Sequence, residues 1–418
     1  MSIFASLKVG QNNSKMQQTP RAERLHIVLY GRCNSGKSTL INSWTGQDIA
    51  LVSDTPGTTT DPVAKAIELQ HLGACVIIDT AGYDDGSGLG EQRVTRSLRS
   101  MEQAHIALLL VAAPLVARGE DLGLERAWLQ ELKGRKIATL VVLSQTDRVE
   151  QPEVLLAELS TRLGLSDMQA LALSAHTREG ISQLKDALPR MLPEDFGSQT
   201  ITRGLAERGD VVVLVMPQDQ SAPKGRLILP QVQTTRELLD KGCTIVSCTP
   251  DTLAHSLASL AVPPRLIITD SQAFPSVYPL KPEGSLLTSF SVLFAAYKGD
   301  IDLFVEGARA IERLTDQSRV LIAEACTHAP ASEDIGRAKI PALLRKRYGQ
   351  SMTIEVVSGM DYPEDLGQYD LIIHCGACMF NRAHVLRRIA RASNQQVPIT
   401  NYGICLAYLT GILDKISY

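Results

Sequence analysis

Short apolar runs rich in β-branched residues alternate with stretches of helical periodicity along most of the chain. The runs at 25–30, 76–78, 138–143 and 170–173 read as buried strands of a first block, which extends to about residue 192. Continuous apolar strands separated by helices are the pattern of a parallel sheet with crossover helices, because such strands are covered on both faces. A breaker, Pro193-Glu-Asp-Phe-Gly, closes this block. A second block carries strands at 211–216, 244–247 and 266–269, with helices predicted at 235–241 and 252–260, and ends near 279–283. The third opens with a predicted helical stretch, 286–314. It continues through strands at 320–324, 353–357 and 371–374, with a helix near 335–348. The pattern predicts an α/β chain of three domains, at 22–195, 196–283 and 284–418, behind a polar tail at 1–21 expected to be disordered. The second and third domains read as small Rossmann-like parallel-sheet units, although neither carries GxGxxG and no internal repeat is visible.

At 418 residues the chain exceeds a single core, in keeping with that division. Hydrophobic content of 44% with 21% charged residues is ordinary for a globular protein, and a net charge of −3 gives no drive toward nucleic acid or membrane. The longest apolar runs, such as 106–116, fall short of the roughly 20 residues that span a bilayer. The first residues lack the apolar core of a secretory signal, so a cytoplasmic location is the expectation. There the eight cysteines are expected to be metal ligands or buried thiols, not disulfides.

Directly after the first strand stands Gly31-Arg-Cys-Asn-Ser-Gly-Lys-Ser38, which is GxxxxGK[ST] in its strand–loop–helix setting. Backbone N–H groups of Gly31, Asn34, Ser35 and Gly36, with Thr39 in the first helical turn, are expected to wrap phosphates at the positive helix end. Lys37 is expected to reach the β/γ-phosphates and Ser38 to ligate Mg²⁺. Asp54-Thr-Pro-Gly-Thr-Thr-Thr-Asp61 occupies the place of a first switch loop, where Thr58 or Thr59 would complete the Mg²⁺ shell. The strand at 76–78 runs into Asp79-Thr-Ala-Gly82, giving a Walker-B carboxylate in Asp79 and a γ-phosphate contact in the Gly82 N–H. The strands at 138–143 and 170–173 lead into Ser144-Gln-Thr-Asp147 and Ser174-Ala-His176.

These motifs make residues 25–192 resemble a Ras-type P-loop GTPase of the branch that includes tRNA-modification and ribosome-assembly GTPases. The resemblance implies that Asp147, with Ser174 and Ala175, reads guanine. Ser144 and Gln145 depart from the Asn and Lys of NKxD, which implies weaker binding; the plainer reading of Asp147 is a loop residue capping a helix. Tyr83 stands where Ras-like enzymes have a water-orienting Gln, implying slow intrinsic hydrolysis. The position of Asn34 implies a K⁺ ligand by resemblance, or else a loop Asn stabilising its turn.

The run 320–324 ends in Ala325-Cys326-Thr-His328; after 45 residues the run at 371–373 ends in His374-Cys375-Gly-Ala-Cys378. Both clusters follow the carboxyl ends of apolar strands, the edge where open parallel sheets form ligand sites. Three thiolates and two imidazoles suit either a closed Zn²⁺ site or a 4Fe-4S cluster with a weaker fourth ligand. Cys33, Cys75, Cys243, Cys248 and Cys405 lack this clustering and read as packing residues, and His384 as a surface or core histidine.

CxHx₄₅HCxxC behind a P-loop GTPase and a βαβ block resembles the FeFe-hydrogenase maturation GTPase family over nearly the whole chain from about residue 22. That resemblance implies a 4Fe-4S cluster on Cys326, Cys375 and Cys378, with His328 or His374 at or near the fourth position. It implies a homodimer built on the middle block. The implied function is a scaffold or carrier that receives a diiron precursor from radical-SAM maturases and delivers it to apo FeFe-hydrogenase, without nucleic-acid or membrane partners. The alternative is a regulatory GTPase of the RNA-modification or ribosome-assembly type with a structural zinc. A cluster used for electron transfer, or an assembly factor with metal-free cysteines, are further readings.

Overall fold

The computed structural model describes residues 19–45, 63–69, 72–82, 97–166, 169–192, 196–218, 227–325, 335–359 and 361–418. Residues 1–18 of the expected tail therefore lie outside the described residues, as does the whole of the first switch loop. The chain forms two compact units, Met1–Phe196 and Gly197–Tyr418.

The first unit is built on six strands: β1 (Leu25–Gly31), β2 (Val63–Leu69), β3 (Gly73–Asp79), β4 (Ile106–Ala112), β5 (Ala138–Ser144) and β6 (Ala170–Ala172). Their order is β2-β3-β1-β4-β5-β6, parallel except for β2 against β3. All seven residues of β1 are buried. Alternate side chains enter two separate cores: Val28 and Tyr30 pack on one face, Ile27 and Leu29 on the other. Each large apolar side chain so buried contributes about 1.5–3 kcal/mol. Helix α1 (Lys37–Thr45) follows β1 and buries Leu40 and Ile41 in the second of these cores. The apolar run at 106–116 divides, becoming strand up to Ala112 and then a short helix, Ala113–Ala117, opened by Pro114.

The second unit holds two four-stranded, wholly parallel sheets. One contains β7 (Val211–Val215), β8 (Thr244–Cys248), β9 (Leu266–Thr269) and β10 (Leu286–Ser289), in the order β10-β9-β7-β8. The other contains β11 (Arg319–Glu324), β12 (Thr353–Ser358), β13 (Leu371–His374) and β14 (Ile399–Asn401), in the order β12-β11-β13-β14. Helix α2 (Leu229–Asp240) lies between β7 and β8 and starts six residues before the sequence predicts. Pro230 sits in its first turn, where the missing N–H costs nothing.

The stretch at 286–314, expected to be helical throughout, begins instead as β10, which pairs with β9. The middle sheet therefore runs past residue 283. Helices α3 (Phe290–Lys298) and α4 (Ile301–Arg309) follow β10, and α5 (Arg382–Asn394) later joins β13 to β14. One hydrophobic core unites both sheets, with Val213 and Ile267 of the first in the same cluster as Ile322 and Ile373 of the second. No helix among the described residues is long and apolar enough to cross a membrane.

Candidate functional site

The loop between β1 and α1 is shaped by close approaches. Asn34 and Gly36 take positive φ, 62° and 90°. A Cβ on Gly31 would stand 2.6 Å from the Leu110 carbonyl, and one on Gly82 would stand 2.5 Å from the Cys33 backbone nitrogen. Only glycine therefore lets β4 and the segment after β3 come this near the loop. Lys37 is buried, its ammonium donating to the carbonyls of Gly31 and Arg32, each at 2.8 Å. Ser38 Oγ donates to Asp79 Oδ2 at 2.8 Å. Burial pushes the Asp79 carboxyl up from the ordinary carboxylate range, against the Ser38 hydrogen bond and the Lys37 charge. Its Oδ1 is buried with no hydrogen-bond partner among the described residues, a carboxylate oxygen fitted to a hard cation or its water shell beside the Ser38 hydroxyl. Thr39 is exposed in the first turn of α1. Thr58, Thr59 and Tyr83 lie outside the described residues.

The two departures from NKxD support the phosphate loop from behind. Ser144, at the end of β5, donates to the Ser35 carbonyl at 2.7 Å, and Gln145 Nε2 donates to the Asn34 carbonyl at 2.6 Å. Asp147 and Ser174, 27 residues apart, meet at 2.6 Å: the Ser174 hydroxyl donates to Asp147 Oδ1 and accepts from the Thr177 N–H. Ala175 is half-buried beside them in sequence. The exposed Asp147 carboxylate is thus aimed by a neighbour from the next strand's loop. The bracing by Ser144 and Gln145 is not legible in the NKxD motif, which registers only what these two residues fail to match.

In the second unit, β11 and β13 are neighbours with Ala323 opposite His374. That register carries both strand ends to one edge of the sheet. The Ala325 N–H donates to Cys375 Sγ at 3.0 Å, and the Ala377 N–H reaches the same sulfur at 3.4 Å. Both N–H groups thus point at one sulfur, the kind of outer-shell contact that orients a metal ligand. Cys378 is half-buried in the same loop, and Ala377 between the cysteines has φ 47°. Cys326 is one peptide bond beyond Ala325, but it and His328 lie outside the described residues. Among the described residues no group of three or more His, Cys, Asp or Glu is placed to hold a metal ion. The donors that are described, two thiols with N–H groups already directed at one of them, fit a soft metal or an iron–sulfur cluster.

His374 is fully buried and both its ring nitrogens are engaged. Nδ1–H donates to the Cys375 carbonyl at 2.6 Å, and Nε2 accepts from Arg388 at 3.1 Å. Burial, then the Arg388 charge, lower its pKa to about 3, so the ring is neutral. In this arrangement it fixes the loop and has no lone pair left for a metal. Arg388 also donates to the Gly359 carbonyl and lies over the Tyr362 ring.

His384 is a core histidine, stacked on Phe380 at 4.4 Å, with both ring nitrogens buried and without a hydrogen-bond partner among the described residues. Of the cysteines expected to be packing residues, Cys75, Cys243 and Cys405 are buried and Cys248 half-buried. Cys33 differs in being exposed, because it lies at the tip of the phosphate loop.

Comparison with known proteins agrees with this layout. The 50S ribosome-binding GTPase domain matches residues 26–145. Relatives include the tRNA modification GTPase MnmE of Thermotoga maritima, 32% identical over 188 residues (44% of this chain, 40% of that protein). MnmE of Nitrosomonas europaea is 36% identical over 196 residues (45% and 41%). GTPase Der of Kosmotoga olearia is 31% identical over 172 residues (40% and 38%). The chain spans about two fifths of the length of these curated relatives.

Solved structures resemble it loosely. A single-site variant of Aquifex aeolicus Era bound to GDP·AlF4⁻ has a TM-score of 0.35 at 18% identity, covering 62% of this chain and 99% of that one. The G domain of T. maritima FeoB has a TM-score of 0.31 at 21%, covering 40% and 98%. Beyond the GTPase domain, residues 201–299 match the hydrogen maturase F dimerization domain and residues 302–417 the hydrogen maturase F tetramerization domain. With a GTPase domain ahead of those two in one chain, the protein belongs to the hydrogen maturase F family.

Proposed function

We propose that this GTPase is a scaffold that holds a 4Fe-4S cluster on Cys326, Cys375 and Cys378 and assembles or delivers the diiron subcluster to apo FeFe-hydrogenase. The single observation that carries the cluster reading is the hydrogen bond from the Ala325 N–H to Cys375 Sγ. It ties the residue next to Cys326 to a thiol 50 positions away, as a shared metal site requires. When bound, the cluster supplies an anchoring iron on which a diiron unit can be carried. His374 orients the Cys375 carbonyl, leaving His328 as the imidazole for the labile position. Radical-SAM maturases are the proposed source of the cargo, and the dimerization domain makes the working unit a homodimer.

In the nucleotide site, Gly31, Asn34, Ser35, Gly36, Lys37 and Thr39 take the phosphates of GTP. Mg²⁺ neutralises phosphate charge and is held by Ser38 with Thr58 or Thr59, with Asp79 in support. The Gly82 N–H meets the γ-phosphate, and Asp147, Ser174 and Ala175 read guanine. Asn34 is the proposed K⁺ ligand, so replacing K⁺ by Na⁺ should slow hydrolysis; equal rates would remove that role. The decisive test of the scaffold is anaerobic purification followed by iron, sulfide and zinc analysis, alongside Cys375→Ala. About four irons per chain, lost in the variant together with hydrogenase activation in co-expression, is the expected result. Colourless protein with stoichiometric zinc would end this reading in favour of a regulatory GTPase with a structural metal.

A further inference from the structure

Lysine is rarely buried outright, because an ammonium must replace all of its hydration. Lys298, the last residue of α3, is 2% exposed. Its Nζ donates to the carbonyls of Ala377 at 2.9 Å, Cys378 at 3.1 Å and Phe380 at 2.8 Å. A neutral amine has two N–H groups and an ammonium three, so three carbonyl partners specify the charged form. All three belong to the cysteine loop, including the carbonyl of Cys378 itself. They draw together a segment that contains Ala377 in the left-handed region, a conformation that persists only where the surroundings hold it.

A second contact runs the other way. Arg382, the first residue of α5, donates to the carbonyls of Tyr297 at 3.1 Å and Gly299 at 2.8 Å, at the negative end of α3. Helix α3 belongs to the dimerization domain and the loop to the tetramerization domain. Two buried or half-buried cations thus cross-brace the end of one domain to the metal-binding loop of the next.

We propose that Lys298 is a positioning residue of the metal site: it sets the spacing of Cys375 and Cys378 and places a positive charge against the backbone of the loop that carries their thiolates. The proposal rests on the reading that these thiolates hold a 4Fe-4S cluster. Reduction adds one negative charge to such a cluster, and a nearby buried ammonium stabilises the reduced form. The dimerization domain thereby helps to set both the retention and the reduction potential of a cluster carried on its neighbour.

The test compares full-length wild type with Lys298→Met and Lys298→Arg. Cysteine alkylation is followed by mass spectrometry in the metal-free proteins, and iron content and midpoint potential are measured after anaerobic reconstitution with iron and sulfide. Lys298→Met should alkylate several-fold faster at Cys375 and Cys378, retain less than half the wild-type iron and shift the remaining cluster to a more negative potential. Lys298→Arg should move the potential back toward wild type. Wild-type alkylation, iron and potential in Lys298→Met would overturn the proposal, as would an Arg variant shifted as far as the Met variant. If Lys298→Met does not fold, Lys298→Gln decides, and a wild-type potential there overturns it. Wild-type protein that takes up no iron would sink the cluster reading instead, leaving the alkylation rates to judge the positioning role alone.

Discussion

Ser144→Ala isolates the support behind the phosphate loop. The Ser144 hydroxyl is buried and donates to the carbonyl of Ser35 at 2.7 Å, with the Val111 carbonyl at 3.2 Å. Alanine removes the donor and leaves both acceptors in place, out of reach of water. Stranding a buried acceptor costs about 1–3 kcal/mol, more than the net value of an ordinary hydrogen bond. Part of this falls on global stability. The rest falls on the loop, because the Ser35 carbonyl is fixed only while that backbone holds the geometry that receives phosphates. If about 1–2 kcal/mol of ordering must then be supplied on binding, nucleotide affinity drops roughly 5- to 30-fold.

Both tryptophans, Trp44 and Trp128, lie in the GTPase unit, so their fluorescence during urea unfolding reports that unit. Fluorescent GDP titration gives the affinity. Gln145→Ala, which removes the half-exposed bond to the Asn34 carbonyl, should produce a smaller loss in both assays, since water can replace the amide. An unfolding midpoint and an affinity both unchanged in Ser144→Ala would refute the bracing argument.

Lys37→Ala should abolish GTP hydrolysis, measured as phosphate release, with iron content unchanged; loss of both would show that the two units depend on each other. Burial, opposed by a hydrogen bond to the Arg24 carbonyl, lowers the His26 pKa from 6.5 to about 4. Between those values the unfolded chain takes up a proton that the folded one refuses, so stability is full above pH 6.5 and falls on acidification. The loss across the window is of order 3 kcal/mol. Urea unfolding followed by tryptophan fluorescence at about pH 7 and about pH 5 should show part of this slope in wild type and less of it in His26→Asn. In α4, a Cβ on Gly307 would stand 1.9 Å from the Ile399 carbonyl of β14. Gly307→Ala should therefore destabilise the second unit by more than the ~1–3 kcal/mol of ordinary overpacking, read as a lower calorimetric melting temperature.

The nucleotide site was legible because its chemistry is local. Eight consecutive residues after a strand specify the loop, and later motifs follow strand ends in chain order. What stayed hidden depends on partners remote in sequence or on elements too short to show a period. β10 has four residues and runs straight into α3, so LLTSFSVLFAAY presents one apolar stretch with no turn signal between strand and helix. β14 has three residues. The burial of Lys298 could not be read from a sequence in which lysine ordinarily marks solvent, and the acceptors that explain it lie 79 to 82 positions away. His374 was legible as part of the metal motif. Its engagement by Arg388, one α-helix further on, was not.

The cysteine loop gains its shape from both sides of a domain boundary. Strand register brings the Ala325 N–H to Cys375 Sγ from within its own sheet. Arg388, through His374, fixes the loop's entry, and Lys298 gathers its exit. A loop held this way can present thiolates in a set geometry before metal arrives, which lowers the ordering entropy that metal binding must overcome. Of the three expected thiolate positions, two lie in this pre-shaped loop, while Cys326 lies in a separate segment after β11. On the proposed cluster reading, the geometry of two of the three thiolates is then set without the third. On that argument Cys326→Ala should leave the alkylation rates of Cys375 and Cys378 in the metal-free protein close to wild type while reducing iron retention. A loop that became freely reactive on loss of Cys326 alone would mean that its shape comes from the missing ligand, and that the cations beneath it are not what holds it.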